Sequence, residues 1–359
     1  MKRVASILLL LVLAACGARP GPEALQASGT VPGAKLVTVY VTTSRGHDPG
    51  SLGFNNDRAR KLSYAEFTIS IPPGHQPGQI EWQEGPADPA RFFTTVSSRT
   101  LDRATFEARL AAQQKKAAVF VHGFNTNFQE AVFRLAQMAA DSGIQAVPVL
   151  YSWPSAGAVS AYVADRDAVT TSRDSLAEVL TMVSARREAL VLAHSMGAWL
   201  TMETLRQLRL TGKNAVLNRL KVALAAPDID VDVFRSQLAT IKRMPQTMVV
   251  MVSPDDSALA ISSRIAGSRT RLGALDIRDP RVVQTAIAAN VQIVDISSVQ
   301  SLDFAGHNRF VEFAMMHARG GTGEGAIGVR KAGAFVFNTI GDTLSTPFNV
   351  IGKVVGGEH

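Results

Sequence analysis

The chain has 359 residues, of which 46% are hydrophobic and 19% are charged. This length allows one large domain or two small ones, and this composition excludes a disordered chain and a protein that spans the membrane many times. The formal net charge of +7 is scattered along the chain without a lysine- and arginine-rich run between aromatic residues, so no nucleic-acid partner is expected.

The first residues have the pattern of an export signal. The positively charged start Met1-Lys2-Arg3 precedes an apolar stretch at residues 7–13, and the small residues Ala14 and Ala15 complete a cleavage site. This apolar stretch is too short to span a bilayer permanently. We therefore expect residues 1–15 to be a signal peptide that is removed.

Cys16 follows this cleavage site and is the only cysteine of the chain. A lone cysteine cannot form an internal disulfide, so its position needs another explanation. The segment resembles a bacterial lipobox, which implies that Cys16 becomes a lipidated N-terminus. Gly17, in place of the Asp associated with inner-membrane retention, favours the periplasmic face of the outer membrane. The alternative is a plain secretory signal with an incidental cysteine.

The segments that follow define the expected domain boundaries. Residues 16–35 are rich in Gly, Pro and Ala without periodicity and are predicted to form a flexible tether. The folded domain is placed at residues 36–320, and residues 321–359 form a Gly-rich C-terminal tail. Within the domain, early β-type segments and one helix are predicted to form an antiparallel edge; the strands are 36–42, 64–71 and 92–96, and the helix is 106–114.

From residue 117 onward, short apolar runs alternate with amphipathic periodicity. Strands are predicted at 117–121, 147–151, 189–193, 222–225, 248–252 and 291–296. Helices are predicted in the gaps, notably at 130–140, 174–183, 231–240 and 310–316. Strands separated by helices imply right-handed crossovers. We therefore predict an α/β fold with a mostly parallel sheet, flanked by helices, and an antiparallel N-terminal edge.

The apolar run at residues 189–200 breaks at Ser195, between the small residues Ala193 and Gly197. A strand, a sharp turn and a helix at this point would hold the Ser195 hydroxyl above the carboxyl end of a central strand. That arrangement suits an acyl-transfer nucleophile, and the N–H of Met196 would donate to the oxyanion that forms. The usual motif has Gly in place of Ala193. The alternative is a serine that caps a core helix.

The loop after the strand at 117–121 supplies a second oxyanion donor. Gly123 allows the backbone to approach a substrate closely, which leaves the N–H of Phe124 as the donor. His122 in the same loop is interpreted as a structural histidine. The seven histidines do not have zinc-ligand spacing, so neither a metal nor a cofactor is expected.

If Ser195 is the nucleophile, the general base is expected to be a histidine that follows it in the chain. His307 follows the last predicted strand and has the flexible Gly306 beside it. His317 lies inside a predicted helix and His359 ends the tail. His194, next to the serine, is expected to point away across the turn. His307 is therefore the predicted base. Four acids that follow two neighbouring strands compete for the third position: Asp228, Asp230, Asp255 and Asp256.

Several motifs in this order resemble the bacterial α/β-hydrolase family labelled DUF900. They are His122-Gly123-Phe124-Asn125, Tyr151-Ser152-Trp153-Pro154-Ser155, Ala193-His194-Ser195-Met196-Gly197, Pro227-Asp228-Ile229-Asp230, Ser253-Pro254-Asp255-Asp256-Ser257-Ala258-Leu259 and Gly306-His307. The resemblance covers about residues 36–320. It implies the α/β-hydrolase fold and an esterase- or lipase-like serine hydrolase, and it leaves the substrate open.

The resemblance also orders the candidate acids. In the α/β-hydrolase arrangement the acid follows the later strand, and Asp256 matches the family's Asp-x-Ala-Leu pattern. Asp228 is the alternative acid, and Asp255 is assigned to a solvated or helix-capping position. Trp153, Phe124 and Trp199 are candidate apolar walls of the pocket, and a place in the core is the alternative for each.

The predicted activity is hydrolysis of a small-molecule or lipid-like ester by Ser195, His307 and Asp256, without a cofactor. The membrane is a partner through the lipid on Cys16. The competing hypothesis from another class is a catalytically inactive, lipid-anchored binding or scaffold protein that kept the hydrolase fold.

Overall fold

A computed structural model describes residues 19–47, 50, 53–83, 85–277, 286, 288–301, 303 and 305–318. The predicted signal peptide, Cys16 and the tail at 321–359 lie outside the described residues. The strands are β1 (Lys35–Arg45), β2 (Arg58–Ile71), β3 (Thr94–Leu101), β4 (Lys116–Val121), β5 (Ala146–Ser152), β6 (Ala189–His194), β7 (Leu220–Ala225), β8 (Met248–Val252) and β9 (Val291–Asp295). The α-helices are α1 (Arg103–Ala112), α2 (Phe128–Ser142), α3 (Tyr162–Val183), α4 (Met196–Leu210), α5 (Asn214–Leu217), α6 (Val231–Ile241), α7 (Ser257–Ile265) and α8 (Arg309–Ala318). The described residues also contain 3-10 helices at Pro22–Leu25, Val159–Ala161 and Leu272–Ala274.

Within the described residues, the nine strands form one sheet in the order β3-β2-β1-β5-β4-β6-β7-β8-β9. Strands β1, β2 and β3 pair antiparallel, and β1 then pairs parallel with β5. The remaining neighbours are all parallel. The predicted mostly parallel sheet with an antiparallel N-terminal edge is therefore confirmed.

The core lies on both faces of this sheet. Successive residues of a central strand point to opposite faces, so Leu190 and Val191 belong to two different apolar clusters. Because both faces are covered by helices, the central strands are apolar at nearly every position, which explains their unbroken apolar runs.

The strand register brings the functional loops to one edge. Val121 at the end of β4 pairs with Ala193, and His194 at the end of β6 pairs with Ala225. On the far side, Val252 at the end of β8 pairs with Asp295 at the end of β9. The loops that follow these parallel strands therefore emerge at the carboxyl edge of the sheet, where α/β proteins bind ligands.

The region expected to be a flexible tether differs from that prediction. From Arg19 onward the chain lies on the domain, Leu25 is fully buried, and Ser28 N–H donates to the Thr95 carbonyl at 2.9 Å. The apolar Leu25 anchors a segment whose composition alone indicated a linker.

The helix predicted at 174–183 is the second half of the 22-residue α3. Its first half buries Asp165, whose carboxylate accepts bonds from the Ser155 hydroxyl at 2.6 Å and the Ala156 N–H at 2.8 Å. Because this buried acid interrupts the apolar face of α3, the first half of the helix lacks a clear helical periodicity in the sequence and was not predicted. In the described ranges, no helix combines the length and the hydropathy that crossing a bilayer requires.

Candidate active site

Ser195 occupies a strained turn between β6 and α4. Its backbone has φ 53° and ψ −119°, a conformation that non-glycine residues rarely adopt and that costs about 1–3 kcal/mol. The turn is held because Ser195 N–H donates to the Ala225 carbonyl at 2.9 Å and Asp228 N–H donates to the Ser195 carbonyl at 3.2 Å. Since strain of this kind persists only where the surroundings impose it, the turn is a candidate catalytic feature.

Two glycines let the neighbouring backbones approach this turn. A Cβ on Gly197 would lie 2.3 Å from the His122 carbonyl oxygen, and a Cβ on Gly123 would lie 3.1 Å from the Ser195 Cβ. Ala193, which replaces the usual Gly, is the penultimate residue of β6 and does not have a positive φ. The extra methyl group is therefore accommodated, because the strained position is Ser195 itself.

The predicted base and acid are hydrogen-bonded to each other. His307 Nδ1 lies 2.7 Å from Asp256 Oδ2, and the other Asp256 oxygen accepts the Leu259 N–H at 3.0 Å at the start of α7. The Asp256 side chain is fully buried. Because a carboxylate only accepts hydrogen bonds, His307 Nδ1 carries the proton and Nε2 is left as the basic nitrogen.

The loop that carries His307 is folded around Asp303. The Asp303 carboxylate accepts the N–H groups of His307 at 3.0 Å and Asn308 at 2.9 Å. Gly306 has φ 69°, which only glycine adopts at low cost, and Ser257 N–H donates to the Ala305 carbonyl at 3.0 Å. The histidine loop is thereby attached to the helix that Asp256 caps.

The surroundings of His307 favour its protonated form. Burial of the imidazole lowers the pKa, but the hydrogen bond and the negative charge of Asp256 outweigh it, and the pKa of His307 is raised above its ordinary value. This is the environment expected of a base that must carry a positive charge transiently.

His194 lies against His307, contrary to the expectation that it points away. The two ring centroids are 4.6 Å apart, and His194 Nε2 lies 3.2 Å from the His307 carbonyl oxygen. Burial, followed by the neighbouring charge of His307, lowers the pKa of His194 well below its ordinary value. His194 is therefore neutral and donates its Nε2–H to the His307 backbone.

Asp228, the alternative acid, belongs to a different buried cluster. Its carboxylate accepts the hydroxyls of Tyr162 at 2.8 Å and Ser262, and Arg271 Nε lies 3.1 Å away. The Asp228 and Arg271 side chains are each at most 5% exposed. This carboxylate is thus already compensated by Arg271, while Asp256 is the acid bonded to His307.

Asp255 occupies the solvated position that was one of its two expected places, since its side chain is 57% exposed, and it does not cap α7. Its carboxylate oxygens receive Arg309 Nη1 at 2.7 Å and Nη2 at 2.8 Å, and this bond to Arg309 lowers the pKa of Asp255. Asp256 caps the helix instead. The Asp255–Arg309 pair joins the loop after β8 to the start of α8.

The two predicted oxyanion donors belong to residues that line or adjoin the turn: Met196 directly follows Ser195, and Phe124 lines the same cavity as Ser195. Met196 is the first residue of α4, so its N–H has no acceptor within the helix. Phe124 follows Gly123, and its ring lines the cavity and meets Tyr162 edge-to-face at 5.2 Å.

The loop that carries Phe124 is held by Arg45, a residue the sequence reasoning missed. The fully buried guanidinium donates to Ser152 Oγ at 2.8 Å and to the carbonyls of Ser155 and Thr126, each at 3.0 Å. Burial lowers the pKa of Arg45 to about 9, opposed by the charge of Asp165, so it remains protonated at neutral pH. An arginine at the end of an apolar strand was the one signal in the sequence.

His122 and Trp153 are structural residues of the same loops. Their rings stack at 5.1 Å, and Trp153 Nε1–H donates to the His122 carbonyl at 2.8 Å. Burial, and then the charge of Arg45, lowers the pKa of His122 to about 3. Trp153 is fully buried, and neither it nor Trp199, which packs against the core, is among the residues that line the cavity. The expectation that these two residues form a pocket wall is therefore wrong.

A cavity of about 730 Å³ opens over the turn. Ser195, His307 and Phe124 line it together with apolar side chains that include Leu259 and Phe310. Its volume falls within the range of small-molecule sites. Within the described part of the chain, no group of three or more His, Cys, Asp or Glu side chains is placed to hold a metal ion.

Arg19 lies at the edge of this cavity, where no sequence signal indicated it. Its guanidinium contacts both Glu130 carboxylate oxygens, at 2.8 and 2.7 Å, and the Asn125 side-chain oxygen at 2.8 Å. Asn125 is the residue after Phe124. The start of the described chain is therefore attached to the predicted oxyanion loop.

Comparison with known proteins agrees with this architecture. Residues 98–319 match the family described as α/β hydrolase of unknown function (DUF900). No curated protein gives a significant match. Among solved structures, the chain is similar to the siderophore hydrolase EstB from Aspergillus nidulans, with 11% sequence identity, a TM-score of 0.33, and coverage of 90% of this chain and 98% of that chain. A similarity this weak does not bear on function. Because the family match spans more than half of the chain, the protein belongs to the DUF900 family of α/β hydrolases.

Proposed function

We propose that this protein is a carboxylic-ester hydrolase in which Ser195 is the nucleophile, His307 the general base and Asp256 the acid that orients it. One observation supports this assignment above all. The strained turn that carries Ser195 opens into the same cavity as His307, whose Nδ1 is bonded to a buried carboxylate.

In the proposed reaction, Ser195 Oγ attacks the acyl carbon while His307 Nε2 takes its proton. The N–H groups of Phe124 and Met196 donate to the negatively charged oxygen of the tetrahedral intermediate. Collapse of the intermediate breaks the ester bond, and His307 returns the proton to the leaving alcohol. Water then attacks the acyl-enzyme with His307 as base, releasing the acid and restoring Ser195. No step needs a cofactor.

The substrate is proposed to be a small-molecule or lipid-like ester. The cavity volume of about 730 Å³ suits a drug-sized molecule, and its wall combines apolar side chains with the polar groups at Ser195 and His307.

Labelling with a fluorophosphonate probe tests the nucleophile directly. We expect the probe to attach to Ser195, and a Ser195→Ala variant to remain folded, to resist labelling and to lose several orders of magnitude in kcat on p-nitrophenyl acetate. Unchanged turnover by the folded Ser195→Ala variant would exclude this mechanism. Absence of labelling and turnover in the unaltered protein would favour the inactive scaffold instead.

We also propose that Cys16 carries a lipid that attaches the protein to the periplasmic face of the outer membrane. Stable anchoring needs two or more acyl chains, as a diacylated cysteine provides. A Cys16→Ser variant should accumulate as an unprocessed precursor or fail to partition into detergent. Normal maturation and membrane fractionation of that variant would refute the proposal.

A further inference from the structure

The opening of the cavity carries unusually exposed apolar side chains. Val159 is 74% exposed, and Ile261 and Ile265 are each 57% exposed, yet all three line the cavity that contains Ser195. Val163, four residues after Val159, is 68% exposed. We call these four residues the apolar rim. Large apolar groups gathered at the opening of a cavity indicate a surface that meets an apolar partner.

The apolar rim is built on fixed elements. The Tyr162 and Ser262 hydroxyls lie 2.9 Å apart, and both donate to the buried Asp228 carboxylate. Tyr162 directly precedes Val163, and Ser262 directly follows Ile261. The exposed side chains therefore stand beside buried, hydrogen-bonded neighbours, so the rim is preformed.

The position of Arg19 is a separate observation that favours a bilayer as the partner of the apolar rim. Arg19 also lines this cavity and is held there by Glu130 and Asn125. It lies three residues after Cys16, and an extended chain spans at most about 3.5 Å per residue, so the two Cα atoms are within roughly 11 Å of each other. A lipid on Cys16 would keep the edge of the cavity close to the bilayer surface.

Building on the proposed ester hydrolysis and the proposed lipid on Cys16, we propose that the apolar rim docks on the bilayer that holds this lipid. The substrate is then an ester dissolved in the same bilayer, whose acyl chain reaches Ser195 along the rim. A fixed apolar opening next to a short anchor suits this substrate class better than a water-soluble ester.

The docking step is tested without relying on catalysis. The experiment uses the lipidated full chain, in which the lipid blocks the thiol of Cys16, the only natural cysteine. An environment-sensitive fluorophore is attached to the new thiol of Ile265→Cys. Leu210→Cys, labelled in the same way, is the matched control. Leu210 is 58% exposed at the end of α4 and does not line the cavity. In phosphatidylcholine vesicles, we expect a blue-shifted emission that brominated lipids quench at position 265 and not at position 210.

The substrate step is tested with the same vesicles. For each variant, kcat/KM is measured on vesicle-embedded 4-methylumbelliferyl oleate and on soluble p-nitrophenyl acetate, and the first value is divided by the second. The double variant Ile261→Ser/Ile265→Ser should lower this ratio at least tenfold. Leu210→Ser should leave this ratio unchanged.

Each outcome decides between explanations. Equal emission at positions 265 and 210, or an unchanged substrate ratio in the double variant, overturns the proposal. A blue shift in detergent together with a dimer in sedimentation shows that a second copy covers the rim, which also overturns it. Lipid quenching at position 265 without hydrolysis of either ester supports the docking and contradicts the ester chemistry instead.

Discussion

Replacing Asp256 with Asn should separate the two contacts that this side chain makes. Oδ1 accepts the Leu259 N–H at the start of α7, and Oδ2 accepts the Nδ1–H of His307. Asn is as good an N-cap as Asp, so its oxygen is expected to stay with Leu259. The amide NH₂ then faces His307 Nδ1. Because both would be donors, the imidazole is driven to the tautomer with the proton on Nε2.

That tautomer cannot accept a proton from Ser195. The analogous change in a serine triad lowers kcat by up to ~10⁴, which corresponds to about 5 kcal/mol of transition-state stabilisation at ~1.36 kcal/mol per tenfold change. The helix cap is retained, so the free energy of unfolding should change by less than about 1 kcal/mol. A large catalytic loss with a small stability change is therefore the expected signature.

The pH dependence provides a second test of the same change. In the unaltered enzyme the active form has neutral His307, so kcat/KM should fall as the pH drops through a pKa raised above its ordinary 6.5. Removing the charge of Asp256 leaves burial opposed only by the smaller effects of the Asp228 and Asp303 charges, so the pKa of His307 is lowered relative to the unaltered enzyme. The acidic limb of the kcat/KM profile should then move to lower pH.

The assay is hydrolysis of p-nitrophenyl acetate over pH 5–9, with urea unfolding of each variant. Asp255→Asn is the matched control, because Asp255 is 57% exposed and pairs with Arg309. It should retain activity within a few-fold. Asp228→Asn is compared under conditions where it is folded, since breaking the buried contact with Arg271 costs about 3–5 kcal/mol. If Asp228→Asn loses most of its activity while Asp256→Asn retains normal turnover, Asp228 is the acid that orients His307 and the assignment of Asp256 is wrong.

Three further changes test how the site is held. Arg45→Met should lower the free energy of unfolding, measured in urea, by about 3–5 kcal/mol, because the buried oxygen atoms that accept hydrogen bonds from Arg45 lose their donor. A decrease below about 1 kcal/mol would contradict this expectation. Gly197→Ala should lower the free energy of unfolding by about 1–3 kcal/mol in the same assay, because the added Cβ would lie 2.3 Å from the His122 carbonyl oxygen. The same clash should displace Ser195 and abolish labelling by the fluorophosphonate probe. Normal labelling would show that the turn relaxes around the added methyl group. His194→Phe keeps a ring beside His307 but removes the donor to its carbonyl, so kcat should fall by about 10- to 100-fold with little change in KM. An unaltered kcat would show that His194 does not position the histidine loop.

The turn at Ser195 could be predicted because its information is local. An apolar strand, a serine between small residues and an amphipathic helix are contiguous, so the pattern that predicts the turn lies within one short segment. The alternation of strands and helices likewise predicts a parallel sheet, since each element depends on the period of its own residues. His307 was predicted from its position after the last strand.

The structure was needed wherever partners lie far apart along the chain. Asp228 and Asp256 both follow a strand, and only the packing of α7 against the histidine loop decides which acid meets His307. Arg45 contacts loops about 80 to 110 residues away, and Arg19 contacts Glu130 across 111 residues. Local composition cannot report such contacts, so it misplaced the segment after residue 19 as a tether. The sequence alone thus determined the chemical groups and the order of the strands and helices along the chain. The tertiary structure decided which of those groups meet, because burial and charge pairing depend on surfaces that only the folded chain brings together.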